Sequence, residues 1–344
     1  MVSDLSLSPT LWATLSAWTA ALGVVLVAVP VLQRVAWATG YLDHPEARKL
    51  HIAATPLLGG IGVALGAAVG SLFGCWALAR AYPQAGLWWM AGAVVAIALG
   101  LVDDRFGMGP VRKMLGQAFA AWLFLQGGVY PTAHFGPLWG QVISVLWMVG
   151  LMNAINFLDN MDGIVGGVAA ICGAAFAILL LLWGRVYEAL FAVGLAGAAL
   201  GFLRYNFCPA RIFLGDTGSL FVGYALGALA LVSAASGPGF SGVLASLLVL
   251  GYPLFDTTFV VLIRLAEGRK VYIGGRDHTT HRMSRVIKGP RRTALWLYAM
   301  TVALAASGIW LGMHPGVRYA IPLVTGWGLV LAVLGRRLAR IPQM

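Results

Sequence analysis

The chain has 344 residues, 60% hydrophobic and only 10% charged, with a formal net charge of +11. An ordinary soluble domain carries roughly a quarter charged residues, so this composition excludes a soluble enzyme and describes a polytopic membrane protein. It also makes nucleic acid a poor partner, because no soluble basic domain exists to bind it.

Apolar runs predict eleven helices, at 11–33, 57–79, 86–102, 113–129, 137–157, 163–183, 186–203, 218–235, 241–263, 293–312 and 317–335. Each is near the ~20 residues that cross a ~30 Å hydrocarbon layer. The fourth and seventh are short and contain glycine, and losing either would invert everything after it. With the N-terminus outside, 20 of the 23 Lys and Arg fall in the inner segments and only Arg80, Arg185 and Arg318 lie outside. Lys and Arg accumulate on the cytoplasmic side of membrane proteins, which supports this topology. The expected architecture is therefore all-α, a bundle of about eleven transmembrane helices forming one integral-membrane domain over 1–344. The first segment lacks a basic n-region and a cleavage site, so it is expected to be retained as a helix. Cys75, Cys172 and Cys208 are odd in number without CxxC spacing, and imply neither a disulfide framework nor a zinc site.

Eight of the twelve acidic residues, Asp43, Glu46, Asp103, Asp104, Asp159, Asp162, Asp216 and Asp277, fall in gaps on the inner side. Carboxylates are costly beside hydrocarbon, so such a gathering is a functional hypothesis about an ion or a polar substrate. The concentrated positive charge there suits anionic membrane lipid or a phosphorylated substrate.

In chain order, LDHPEARKLH (42–51) and TPLLGG (55–60) offer Arg48, Lys49 and His51 as phosphate donors, with an anchor of positive charge as the alternative. LVDDRFGMGPVRKMLGQ (101–117) closes one helix with Asp103 and Asp104 and opens the next with Lys113. Adjacent carboxylates repel unless a cation or proton is near, although either could cap a turn. NAINFLDNMDG (153–163) puts Asn153, Asn156, Asp159 and Asp162 at steps of three, a polar band on a continuing helix. These oxygens suit a hard cation such as Mg²⁺ that keeps waters and takes phosphate oxygens.

LGDTGS (214–219) precedes the eighth helix, with Phe213 before it and Asp216 available to a metal or as a cap. GYPLFD (251–256) places Pro253 in the ninth run, where it kinks the helix; Asp256 is equally suited to catalysis or to satisfying a neighbour. RDHTTHR (276–282) supplies His278, His281 and Arg282 in the most basic loop, which suggests phosphate contact more than metal.

In this order the motifs resemble those of the polyprenyl-phosphate N-acetylhexosamine-1-phosphate transferases, the superfamily of the MraY, WecA and TagO enzymes. The similarity runs from about 42 to 283, and DHPEARKLH with TPLLGG is closer to the WecA and TagO branch. The resemblance implies a donor UDP-N-acetylhexosamine, most directly UDP-GlcNAc, and an acceptor polyprenyl phosphate. The products would be polyprenyl-diphosphate-sugar and UMP, the start of a cell-envelope glycan.

It further implies Mg²⁺, with Mn²⁺ as the alternative, held by Asp216 and Asn156. Asp103, Asp104, Asp159 and His278 would be catalytic. Arg48, Lys49, His51, Lys113, Asn153, Asp162, Phe213, His281 and Arg282 would bind substrate, with Phe213 on the uracil and Asp162 near the uridine. A cytoplasmic-face site in the inner membrane is expected, and a homodimer is left open. Thr280 departs from the branch's H-x-H-H pattern, which bears on sugar specificity. An MraY-type muramoyl-pentapeptide transferase is the alternative within the superfamily. Outside it stand a transporter or flippase and a silent lipid-binding scaffold.

Overall fold

A computed structural model describes residues 8–44, 54–79, 83–272 and 275–341. Among these residues there are thirteen helices: α1 (Pro9–Thr39), α2 (Gly59–Ala77), α3 (Gln84–Phe106), α4 (Pro110–Leu125), α5 (Thr132–Leu158), α6 (Ile164–Leu182), α7 (Val186–Asn206), α8 (Gly215–Ser236), α9 (Ser241–Val249), α10 (Gly251–Ala266), α11 (Thr279–Ile287), α12 (Pro290–Met313) and α13 (Val317–Ala339). Nine are long and apolar enough to cross a membrane, and α9 with α10, bent by 71°, form a broken span or a re-entrant loop. The protein is an all-α, multi-pass membrane protein. The expected fourth span is present as α4, but its 16 residues extend only about 24 Å, short of a full hydrocarbon layer.

Helix α8 is the axis of the bundle, buried along nearly its whole length, with α3, α5 and α2 packed against it. In a lipid environment close packing between small residues, not hydrophobic exclusion, draws helices together. At Gly100 of α3 a β-carbon would run into the backbone of Thr217, so glycine is what lets α3 approach the first turn of α8.

Three local features differ from the sequence reading. LGDTGS does not precede the eighth helix: Gly215 opens α8, and Asp216 stands in its first turn. The 153–163 band is not one continuing helix, because α5 ends at Leu158 and Asp159 closes it; Asp159 and Asp162 therefore sit in the turn that leads to α6. The break in the ninth run falls at Leu250, just before the proline. Pro253 has no N–H for the carbonyl of Val249, and that oxygen instead accepts the Cys172 thiol at 3.2 Å.

All three cysteines are free. A two-residue strand pair, β1 (Leu42–Asp43) and β2 (Thr55–Pro56), runs antiparallel with Leu42 opposite Pro56. The chain then docks on the α7–α8 connection: Phe213 N donates to Pro56 O (2.8 Å), Gly59 N to Phe213 O (3.1 Å) and Gly60 N to Leu214 O (3.0 Å). This ladder ties TPLLGG to the start of α8.

Candidate active site

The end of α3, the start of α4, the end of α5 and the start of α8 meet at one end of the bundle. Leu214, at the N-cap position of α8, has no side-chain acceptor for the orphan amides of the first turn. Asp104 supplies it from α3. Its Oδ1 accepts Asp216 N at 2.8 Å, and its Oδ2 accepts Thr217 N at 3.0 Å and Thr217 Oγ1 at 2.7 Å. Gly215 must be glycine for this cap to form: its φ is +70°, and a β-carbon would lie 2.8 Å from Asp104 Oδ2. Asp104 thus fixes the helix turn that carries Asp216.

Asp216 receives the rest. Its Oδ2 lies 2.6 Å from Lys113 Nζ, and its Oδ1 accepts Asn156 Nδ2 at 2.7 Å. Lys113 Nζ also meets Asp103 Oδ2 at 2.7 Å and Asn156 Oδ1 at 3.3 Å, while Asp103 Oδ1 accepts Met108 N at 2.6 Å. Asn156 Nδ2 is shared with Ser219 Oγ at 2.9 Å.

Asp159 stands beside this cluster, and its carboxylate accepts no hydrogen bond among the described residues. Burial, with the neighbouring Asp216, Asp104 and Asp162 charges, pushes its pKa well above the usual carboxylate range. Asp103 and Asp216 share the one lysine while Asp104 and Asp159 have no cationic partner among the described residues, an arrangement that attracts further positive charge. Among the described residues no three His, Cys, Asp or Glu side chains form a metal cage by themselves. The oxygens of Asp216 and Asn156 nonetheless converge on a cation already, the Lys113 ammonium. They are donors of the kind Mg²⁺ takes when substrate phosphates and waters complete its shell.

A second cluster adjoins the first through the last turn of α5. Phe157 follows Asn156, and its ring lies 6.3 Å from the His278 ring and 5.6 Å below the Arg264 guanidinium. Asn160 Oδ1 accepts Thr280 Oγ1 at 2.5 Å. His278 caps the start of α11, and its Nδ1 lies 2.9 Å from Asp256 Oδ2.

Asp277 is held by a buried two-bond pair with Arg264 (both 2.8 Å) and by Arg269 (2.8 Å). Against the desolvation that would raise it, these guanidinium groups keep its carboxyl well below the ordinary range. Burial, with His278 beside it, lowers His281 to about 4, and its buried Nδ1 has no hydrogen-bond partner among the described residues.

Of the sequence candidates, Asp103, Asp104, Lys113, Asn156, Asp159 and Asp216 are brought together, with His278 and His281 beside them. Asp162 lies in the same turn as Asp159 and accepts Ala210 N at 2.9 Å. Phe213, half-buried, borders Asp216 through the β2 docking ladder. Asn153 sits a turn deeper, its amide donating to Gln117 at 2.7 Å. Arg282 is turned away. Its guanidinium is buried and donates to Asp277 O and to the carbonyls of Leu338, Ala339 and Ile341, so it closes the C-terminus of α13. The sequence reading of a substrate contact at this position meets a side chain already occupied by backbone. Arg48, Lys49 and His51 lie outside the described residues.

Ser219, Asn160 and Gln117 also join these clusters. Each lies inside a sequence motif, where the acids and Lys113 carried the signal. Asp256 was visible beside Pro253, but its pairing with His278 across 22 positions was not.

Membrane-length helices with a carboxylate and lysine centre at one end define a polytopic membrane protein with a polar, phosphate-compatible site. Comparison with known proteins gives the family. The glycosyl transferase family 4 profile matches residues 87–234. A probable undecaprenyl-phosphate N-acetylglucosaminyl 1-phosphate transferase of Bacillus subtilis is 30% identical over 306 residues, covering 84% of each chain. A decaprenyl-phosphate N-acetylglucosaminephosphotransferase of Mycobacterium leprae is 32% identical, covering 86% of this chain and 84% of its own. A phospho-N-acetylmuramoyl-pentapeptide-transferase of Levilactobacillus brevis is 30% identical over 74% of this chain and 84% of its own. The chain belongs to glycosyl transferase family 4, the membrane family of polyprenyl-phosphate hexosamine-1-phosphate transferases.

Proposed function

We propose that this protein transfers N-acetylglucosamine 1-phosphate from UDP-GlcNAc to a polyprenyl phosphate in the cytoplasmic membrane, with its polar end facing the cytoplasm. The observation that carries the reading is Lys113 joined to Asp103 and Asp216 at the capped start of α8. The B. subtilis and M. leprae relatives, each matched over more than four-fifths of its length, carry names of this activity. Sidedness is supported by the 20 of 23 Lys and Arg assigned to that end. An apolar groove of about 670 Å³ runs along α10 and α13, lined by Leu254, Phe255, Phe259, Trp327 and Leu331, and has Arg336 at its polar end. It suits an isoprenoid chain.

Two anions must be brought together in line, and most of the barrier is charge and position. The lipid phosphate is largely ionised at neutral pH and attacks the β-phosphorus of the nucleotide. A new P–O bond forms, the bond from that phosphorus to the bridging oxygen breaks, and UMP leaves with the electron pair. Lys113 donates to phosphate oxygens, the α8 amides and Asp104 hold Asp216 in register, and His278 meets the phosphate or sugar of the donor. Phe213 packs on the uracil, beside Asp162. Asp216 and Asn156 are the residues that would hold Mg²⁺, and the bound ion would supply Lewis-acid stabilisation of the leaving group's charge.

The test is a donor panel. Purified protein with undecaprenyl phosphate, Mg²⁺ and either UDP-GlcNAc, UDP-GalNAc or UDP-MurNAc-pentapeptide should release UMP fastest with UDP-GlcNAc. Preference for the pentapeptide donor would move the protein to the muramoyl branch. Flux of lipid across liposomes without UMP release would replace the transferase reading with transport.

A further inference from the structure

His278 is held from α10 by Asp256, a carboxylate to which the family resemblance assigned no role. Asp256 is fully buried, and His278 is 4% exposed. Asp256 Oδ1 accepts two donors, Thr279 N at 2.9 Å and Thr279 Oγ1 at 2.5 Å; Oδ2 is left to face His278 Nδ1 at 2.9 Å. With both Thr279 donors on one oxygen, the ionised carboxylate has an acceptor only for the ring, so Nδ1 carries hydrogen. Nε2 has no hydrogen-bond partner among the described residues. A histidine whose first nitrogen is fixed in this way has its second nitrogen and its ring plane fixed too.

The anchorage is double. Asp277, the preceding residue, is clamped by Arg264 of the same helix, so both Asp256 and Arg264 of α10 hold the loop at His278. The α9–α10 break at Leu250 re-aims the helix just before it delivers these two residues.

We propose that Asp256 is a positioning residue for the transfer reaction: it fixes the tautomer and ring orientation of His278 so that Nε2 is the nitrogen that meets substrate, and Thr279 locks the carboxylate for that task. This inference rests on the transferase reading. The signal in sequence is a carboxylate three residues after a proline in an apolar run, upstream of a histidine loop.

Asp256→Asn tests it with little change of volume. The amide oxygen can still accept from Thr279, which turns the amide N–H toward Nδ1 and reverses which ring nitrogen carries hydrogen. The expected result is a folded variant with its thermal midpoint near that of the wild type. Its kcat for UMP release should fall about 10- to 100-fold, the range for losing an outer partner of a working histidine. KM for UDP-GlcNAc should stay within about twofold. In a His278→Ala background the same change should cost nothing further, since the residue acts through the imidazole.

An Asp256→Asn protein with wild-type kcat, or an equal fall in both backgrounds, overturns the proposal. Should that variant not fold, Thr279→Val decides. A severalfold drop in kcat that Thr279→Ser reverses supports the lock, and unchanged kcat overturns it. Wild-type protein that releases no UMP defeats the transferase reading itself; wild-type turnover beside an unimpaired Asp256→Asn defeats only this inference.

Discussion

Lys113 at the start of α4 and Asp216 in the first turn of α8 are 103 residues apart in sequence, and their charged atoms lie 2.6 Å apart. The ion pair is half-shielded, with Asp103 completing it from α3, so it joins three helices through one ammonium. Removing the lysine would leave Asp103 and Asp216 as neighbouring anions where the substrate's own negative charge must enter. Lys113→Met is expected to lower kcat for UMP release by about 100- to 1,000-fold, comparable to losing a preorganised charge-stabilising donor. Lys113→Arg should not restore it, because a planar fork cannot replace a point charge held between two oxygens and an amide.

Asp104 and Asp216 should separate in stability assays. Asp104 accepts three bonds at the buried start of α8, so Asp104→Ala is expected to cost about 1 to 2 kcal/mol as a lost helix cap and to lower the thermal midpoint. Asp216→Asn should retain the fold and abolish turnover. Differential scanning fluorimetry beside the UMP assay checks both.

His281 makes acid destabilising. Its folded pKa is about 4 against an ordinary value of 6.5, so the folded state holds it neutral and the unfolded chain protonates first. Its contribution is fully present above about 6.5 and is lost as pH falls toward 4, on the order of 2 to 3 kcal/mol at the lower end. His281→Leu should narrow the gap between thermal midpoints at pH 7 and pH 5; an unchanged gap refutes the assignment.

Asp159 has the opposite slope. A carboxyl raised by burial and by Asp216, Asp104 and Asp162 binds its proton more tightly folded than unfolded. Stability from this group is present below the unfolded carboxylate value and is lost as pH rises through the folded pKa. Asp159→Asn is expected to raise the thermal midpoint at pH 7 and to change it little at pH 4.

Thr280 is buried, and its hydroxyl donates to Asn160 Oδ1. Thr280→Val would leave the Asn160 oxygen without its donor, a penalty of about 1 to 3 kcal/mol. It should also loosen the link between α5 and α11. Thr280→Ser should behave as wild type in both stability and donor preference.

The helices were legible because crossing a bilayer demands long apolar runs, and the main body of α5 begins after Gly136, as its sequence run at 137 implied. Asp103, Asp104, Lys113, Asn156, Asp159 and Asp216 were legible because charge in such a chain is rare enough to stand out. The ends of elements were harder. Asp216 reads as a residue before a helix, yet the acceptor that lets α8 begin at Gly215 comes from Asp104, far away in sequence. Arg282 reads as a phosphate ligand because its loop is basic, and nothing local reveals that the carbonyls of Leu338, Ala339 and Ile341 await it.

By itself the sequence determined that this is a many-helix membrane protein whose charged residues fall mostly between its apolar runs, because hydrocarbon filters composition. Only the tertiary structure decided which of those groups meet. Asp104 became a cap, Asp216 a partner of Lys113, and Asp256 the anchor of His278, since each polar atom buried at the helix ends had to find a donor or acceptor across the bundle.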